Sequence, residues 1–185
     1  MPEFDYGRYF TASQQAAPIR IAVVEDLRCP GCRKSHLEVL PRALAELGGE
    51  TQLAIVHITY PVARSDSLQL AVLAQTFARH HRRPPSEVSA LLFEADSPRL
   101  SLEQAEQLLV QRYGAVDPQA RPELERASEA SLREDTRYLR SLGIGSVPTV
   151  IVNGVVLHAP RAELLIEHAR DAAPPALAAL EPVVR

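Results

Sequence analysis

Much of what commonly marks a function is missing from this chain of 185 residues. Tryptophan is absent, methionine occurs once, and aromatic residues make up only 5%. So few rings leave little with which to stack bases, and a formal net charge of −3 offers no positive field to a phosphate backbone. A nucleic-acid partner is therefore not expected. The one basic run, "RHHRRPP" from Arg79 to Pro85, reads as a solvated helix end. No apolar run approaches the roughly 18 residues that a membrane-spanning helix needs. The opening stretch, Met1 to Pro18, lacks the basic and apolar regions of a signal peptide. As written, that predicts the cytoplasm; an export segment removed upstream would instead predict the cell envelope. Cysteine is nearly absent too, and two thiols cannot build the multi-disulfide framework of a small secreted domain.

What remains is the composition of a globular protein, 46% hydrophobic and 23% charged, of a length suited to one domain with an insertion. Residues 1–17 read as a polar, irregular leader closed by Pro18. Ile19 to Val24 is a β-branched apolar run and predicts a buried strand. Leu37, Leu40, Leu44 and Leu47 then recur at helical spacing, stopped by Gly48 and Gly49. Thr51 to Pro61 predicts a second strand, with Tyr60 and Pro61 ending it. Strand, helix and strand in this order make a βαβ unit with parallel strands. From 65 to 142 there are only helical patterns. One runs from Asp66 to His81. A second starts at Ser86 as N-cap. A third opens on a capping box, Ser101 with Gln104, and ends at Gly114. A fourth is long, with Leu124, Ala127, Ser131, Leu139 and Leu142 on one face. Strands resume after Val147 and flank Asn153-Gly154, a strong hairpin signal because both turn positions need positive φ. A helix follows, and 174–185 is a tail. The pattern is an α/β fold, βαβ…ββα. Residues 18–64 and 143–173 form its main domain, and 65–142 an inserted helical domain.

The two cysteines, Cys29 and Cys32, stand two residues apart in "RCPGCRK", where the first strand gives way to a helix. Pro30 suits the first helical turn. Cys29 then faces unpaired backbone N–H groups at the positive end of the helix dipole, which favours thiolate over thiol. Arg28, Arg33 and Lys34 add positive charge nearby. Cys32, one turn further, is placed to resolve a mixed disulfide on Cys29. A metal site would recruit His36 and His57, but structural zinc takes four ligands and no second CxxC exists, so no metal is expected. His36 reads as a polar helix-flank residue and His57 as a satisfied core histidine. The second notable stretch is "GSVPTVIVNG", Gly145 to Gly154. Pro148 at a strand start cannot donate to the sheet, and Val147–Pro148 is the type of bond where a cis peptide is cheap. Packed against Cys29, it would leave the Val147 backbone free to pair with an extended substrate segment.

Together these stretches resemble the DsbA family of bacterial thiol:disulfide oxidoreductases, within the thioredoxin-fold superfamily. "EDLRCPGCRKSHLEVLP" is similar to that family's cysteine stretch and "LRSLGIGSVPTVIVNG" to its proline stretch. The resemblance spans Pro18 to Arg170. It implies a thioredoxin-like fold with a helical insertion, Cys29 as nucleophile, Cys32 as resolving thiol and Pro148 as cis-proline. It also implies that Val147 and Thr149, with Pro30 and Gly31, position the substrate. Asp26 matches an acidic position of the family. The family's usual buried acid, six residues before the nucleophile, is here Val23. Glu25 is expected to point to a different side, which leaves Glu25, Asp26 and His36 as candidates for proton transfer or electrostatic assistance. Gly31 stands where the strongest oxidants carry histidine. The implied potential lies between roughly −120 mV, as in that oxidant, and roughly −270 mV, as in thioredoxin.

Protein thiols and disulfides are the expected clients, with an unidentified redox partner and no organic cofactor, because the dithiol itself carries the electrons. Two other functions compete. One is a reductase or glutathione-linked thiol-transfer enzyme of the same fold, separable by insulin reduction against client oxidation. The other is a non-catalytic redox sensor or metal-binding module using Cys29 and Cys32, separable by metal content.

Overall fold

The computed structural model describes residues 3–47 and 53–171. The central strand β1, Ile19–Glu25, pairs in parallel with β2, Leu53–Thr59, and antiparallel with β3, Thr149–Val152. Strand β4, Val155–His158, closes the sheet at one edge, giving the order β2-β1-β3-β4. β1 reads as a continuous apolar run because both of its faces are covered. Ile19, Ile21 and Val23 face one core with Val150, Val152, Leu40 and Leu165. Ala22 and Val24 face another with Ile58, Ile151, Leu139 and Phe10. The hairpin between β3 and β4 turns at Asn153 (φ 44°) and Gly154 (φ 93°), as the dipeptide predicts. The Asn153 amide also accepts from Arg20 N–H at 2.7 Å and donates to Pro18 O at 2.8 Å, tying the turn to the start of β1.

The leader is not the irregular polar segment expected. A 3₁₀ turn, Tyr6–Arg8, and a short helix α1, Ala12–Gln15, precede β1. Phe4 and Phe10 are buried in the second core. Phe4 stacks on Tyr9 at 5.6 Å and lies 6.3 Å from Tyr138. The rings are few, but most of them gather here.

After the cysteines the chain runs through α2, Pro30–Lys34, a π-helical turn, Ser35–Val39, and α3, Leu40–Glu46. Pro41 gives the physical reason for the irregular middle. It has no N–H to donate one turn back, and its ring crowds the carbonyl it would have met. Gly48 and Gly49, expected to stop this helix, lie outside the described residues, as do 172–185.

Between β2 and β3 stand four helices: α4, Ser67–His80; α5, Pro85–Glu94; α6, Leu102–Tyr113; and α7, Arg121–Ser141. The capping box at Ser101 and Gln104 is present. Ser86 is not a cap: Pro84 holds that position and Pro85 the first helical one, where a missing N–H costs nothing. On α7 Leu139 is buried as expected, as is Leu142 at its C-cap, while Ser128 and Leu132 are buried in place of Ala127 and Ser131. The last helix, α8, Ala162–Asp171, covers the first core through Leu165, Ile166 and Ala169. A third core joins the insertion to the end of β1. There Leu27, Cys29 and Cys32 pack with Leu70, Phe77, Leu92 and Phe93. Among the described residues no helix is long and apolar enough to cross a membrane.

Candidate active site

Cys29 is the N-cap of α2, with extended backbone (φ −89°, ψ 116°), and Pro30 begins the helix. Its sulfur accepts the Cys32 N–H at 3.1 Å, one of the orphan donors of a helix start. The Cys29 thiol is pulled down to about 7. The largest cause is a hydrogen bond from the Cys32 thiol. Backbone N–H groups of Cys32 and Gly31 add to it, against burial and the Asp26 charge. Cys32 is wholly buried, and its sulfur accepts the Asp26 N–H at 3.4 Å. Burial, then the bond it donates to Cys29, push its thiol far up. The pair is thus asymmetric, with one acidic thiol and one held protonated. Cys29 is less open than a freely exposed nucleophile: only 8% of it is accessible.

Part of the cover is the Val147–Pro148 loop, whose peptide bond is cis. The Val147 carbonyl lies 3.8 Å from the Cys29 sulfur. On the other side of the turn, a Cβ at Gly31 would sit 3.4 Å from Pro148 Cδ and 3.7 Å from that same sulfur. A methyl group at this position would therefore be in ordinary contact with the proline and the sulfur. Thr149 is buried; its hydroxyl donates to Ser146 O at 2.8 Å and lies 3.0 Å from His158 Nδ1, bracing the loop. Tyr60, at the end of β2, also steadies this segment by donating to Ile144 O at 3.0 Å.

Glu25 corrects an expectation. Residues two apart on a strand share a face, so Glu25 lies on the side of Val23 and not on a different one. It is 2% exposed. His57 Nδ1 lies 3.1 Å from one carboxylate oxygen and His36 Nδ1 3.4 Å from the other. Burial alone would raise the Glu25 carboxyl, but the bonds from His36 and His57, and their charge, outweigh it and hold it below its ordinary value. Its negative charge also contributes to raising the Cys32 thiol. His57 is a satisfied histidine, its partner being Glu25, and His36 turns inward from its helix to the same carboxylate. The three ligand atoms lie within 4.8 Å of one another, so this group, rather than the cysteines with the histidines, is where a cation could be held. The strand register brings the group together, since Val23 pairs with His57 across β1 and β2 and Glu25 is two residues further on the same face.

Asp26 is a clamp. One carboxylate oxygen accepts Arg28 N–H at 2.7 Å; the other accepts Val62 N–H at 2.7 Å and Ala63 N–H at 2.6 Å. Arg28, which the sequence suggested as a charge beside the thiolate, is instead 2% exposed and reaches into the insertion. It donates to Ser97 O and Leu100 O and pairs with Asp66 at 2.9 Å. Arg33 likewise donates to Phe93 O at 2.8 Å. Nothing in a one-dimensional pattern marks an arginine as buried. Beside Cys29 and Pro30 these residues open a cleft of about 460 Å³, lined also by Ala63, Arg64, Asp96, Pro98 and Arg99.

Comparison with known proteins agrees with this fold. A family model described as Thioredoxin matches residues 11–168. No curated protein matches the chain significantly. Several solved structures share its fold. Alpha-DsbA1 of Wolbachia pipientis superposes with a TM-score of 0.67 at 16% identity, over 90% of this chain and 91% of that one. BdbD of Bacillus subtilis, in its oxidised form, gives 0.67 at 18% identity over 85% and 88%. ScsC of Proteus mirabilis, in a transitional conformation, gives 0.67 at 15% identity over 92% and 72%.

Proposed function

We propose that this chain, which belongs to the thioredoxin family and has the DsbA-like fold with a helical insertion, exchanges disulfides with protein clients through Cys29 and Cys32. In the oxidising direction a client thiolate attacks the Cys29 sulfur of the joined pair. The Cys29–Cys32 bond breaks, Cys32 leaves with the electron pair and takes up a proton, and a mixed disulfide forms. A second client thiolate then attacks the client sulfur of that mixed disulfide, and Cys29 leaves as thiolate. The client loses two electrons and the pair gains them. Reduction of a client runs the same steps backwards. The electrons travel in the dithiol, so no organic cofactor enters; a redox partner must restore the pair.

The observation that carries this reading is the asymmetry of the two thiols. Cys29, pulled down to about 7, is a good nucleophile and a good leaving group. Cys32, buried and pushed up, favours the protonated form once released. The Val147 carbonyl beside Cys29 supports the pairing of an extended client segment at the cis-proline loop, and Pro30, Gly31 and Thr149 shape that contact. Buried Glu25, linked to His36 and His57, supports a role in proton exchange with Cys32.

The test is turnover of a reduced, unfolded client by the oxidised protein, alongside insulin reduction by the dithiol form. Cys29→Ser should abolish both, and Cys32→Ser should trap a mixed disulfide on Cys29. Untouched rates in Cys29→Ser would end the proposal. The reduction potential of the pair then decides its direction: a value more reducing than thioredoxin's favours a reductase.

A further inference from the structure

The cleft beside Cys29 is rich in arginine. Three separate segments meet there: the active-site turn with Arg28, Cys29, Pro30 and Arg33; the loop after β2 with Ala63 and Arg64; and the α5–α6 loop with Asp96, Pro98 and Arg99. Four arginines thus line a space that also holds the nucleophile. Two carboxylates answer them. Asp66 pairs with Arg28 at 2.9 Å and Arg64 at 3.4 Å, while Asp96 pairs with Arg99 at 2.9 Å and Arg33 at 3.4 Å. The buried Asp26 carboxylate, which accepts the Arg28 and Ala63 N–H groups, makes a third. Four guanidinium groups against three carboxylates leave one positive charge in excess, on a chain whose net charge is −3. The excess is therefore local to the cleft and does not follow from composition.

The parts are also built into place. Asp26 fixes the Val62–Ala63 backbone against the end of β1, which sets where Arg64 starts. Arg28 holds the Ser97 and Leu100 carbonyls, which sets the loop carrying Arg99. Arg64 itself donates to Pro98 O at 3.0 Å, joining the two loops into one rim. Arg64 and Arg99 nonetheless keep 55% and 86% of their side chains accessible, and Arg33 keeps 35%. Pro30, Ala63 and Pro98 add apolar contact to the lining. At about 460 Å³ the volume falls in the usual range for ligand clefts, ~300–1,000 Å³. No residue of 145–149 lines it, so it is distinct from the surface at which a client backbone would pair with Val147.

We infer that this cleft is a carboxylate-binding subsite that selects client segments bearing aspartate or glutamate next to the reacting cysteine. The inference rests on the disulfide-exchange reading above. A client lying across Cys29 places its cysteine over the sulfur and a neighbouring side chain in the cleft. Guanidinium groups bind carboxylates through paired, charge-assisted hydrogen bonds. Their field also raises the encounter rate of an acidic segment and lowers that of a basic one, and salt screens both effects.

The experiment uses the oxidised full chain and three reduced dithiol peptides that differ only in the residues flanking their cysteines: glutamate, serine or lysine. Each rate is divided by that peptide's rate with a neutral small-molecule disulfide, which removes the effect of flanking charge on the peptide's own thiol. The glutamate peptide should react about tenfold faster than the lysine peptide at low salt, with the gap closing at high salt. The double variant Arg64→Glu, Arg99→Glu should reverse the order. Equal rates for the two charged peptides, or a preference that survives the double variant, would overturn the subsite. If the serine peptide reacts but charge makes no difference, only the subsite fails. If none of the peptides reacts, the exchange reading itself has failed.

Discussion

Cys29 and Cys32 differ by what each sulfur receives. Cys29 accepts hydrogen bonds from the Cys32 thiol and from backbone N–H groups, which favour its thiolate; Cys32 is desolvated and faces the Glu25 charge. Alkylation of Cys29 should therefore follow a titration with its midpoint near 7. The stability of the dithiol form carries the same sign. A depressed thiol binds fewer protons folded than unfolded, so its contribution is complete above the ordinary thiol value of ~8.5 and is lost as pH falls through about 7. Cys32 works in the opposite sense and costs stability above the ordinary value. The difference in urea midpoint between the reduced protein and Cys29→Ser should thus widen between those two pH values. A difference that is flat or shrinks there would contradict the assignment. Glu25→Gln removes a negative charge next to Cys32, so the Cys32 thiol should become more acidic. The titration of its Cβ by NMR in a Cys29→Ser background reads this directly, and an unmoved midpoint would remove Glu25 from the site.

At the scale of elements, the end of β1 does more than precede the cysteines. Asp26 accepts three backbone N–H groups at 2.6–2.7 Å and is almost fully buried. Asp26→Ala leaves those donors without partners and should lower stability by about 3 kcal/mol or more, measured by urea unfolding. The same change deletes a charge that opposes the Cys29 thiolate, so the alkylation midpoint should move down. A destabilised protein with an unmoved midpoint would make Asp26 a clamp and nothing else. The helix after the cysteines shows a related economy. Pro41 accounts for a π-helical turn, and within that turn His36 is brought round to Glu25.

Across the whole molecule, three cores meet around one sheet, and the cysteines belong to the core shared with the insertion. The N-terminal segment belongs to another. Phe10 is 3% exposed among Tyr6, Ala22 and Leu139. Phe10→Ala should cost about 3 kcal/mol or more in urea unfolding, as large buried rings do. The alkylation midpoint of Cys29 should stay where it is, because that core does not include the thiols. A variant as stable as the parent would return residues 3–17 to the status of a loose leader.

The strands, the hairpin turn at Asn153-Gly154, the capping box at Ser101 and the pairing of a CxxC with a strand-start proline were legible in the chain by itself. Each is set by neighbours in sequence: continuous β-branched apolar runs, residues that tolerate positive φ, a side chain reaching back three positions, a proline that cannot donate. What the sequence could not decide were matters of contact between distant segments. Phe10 packs against α7 from the far end of the chain, Arg28 is buried by a loop about seventy residues away, and Glu25 is sandwiched between histidines from two elements. The same holds for the arginine-lined cleft, whose residues come from three segments and share no local pattern. Local chemistry determined that a pair of thiols stands at a helix start and where it lies. Only tertiary packing decided which groups share its low-dielectric surroundings, because burial and charge proximity are properties of the assembled space and not of the order of residues.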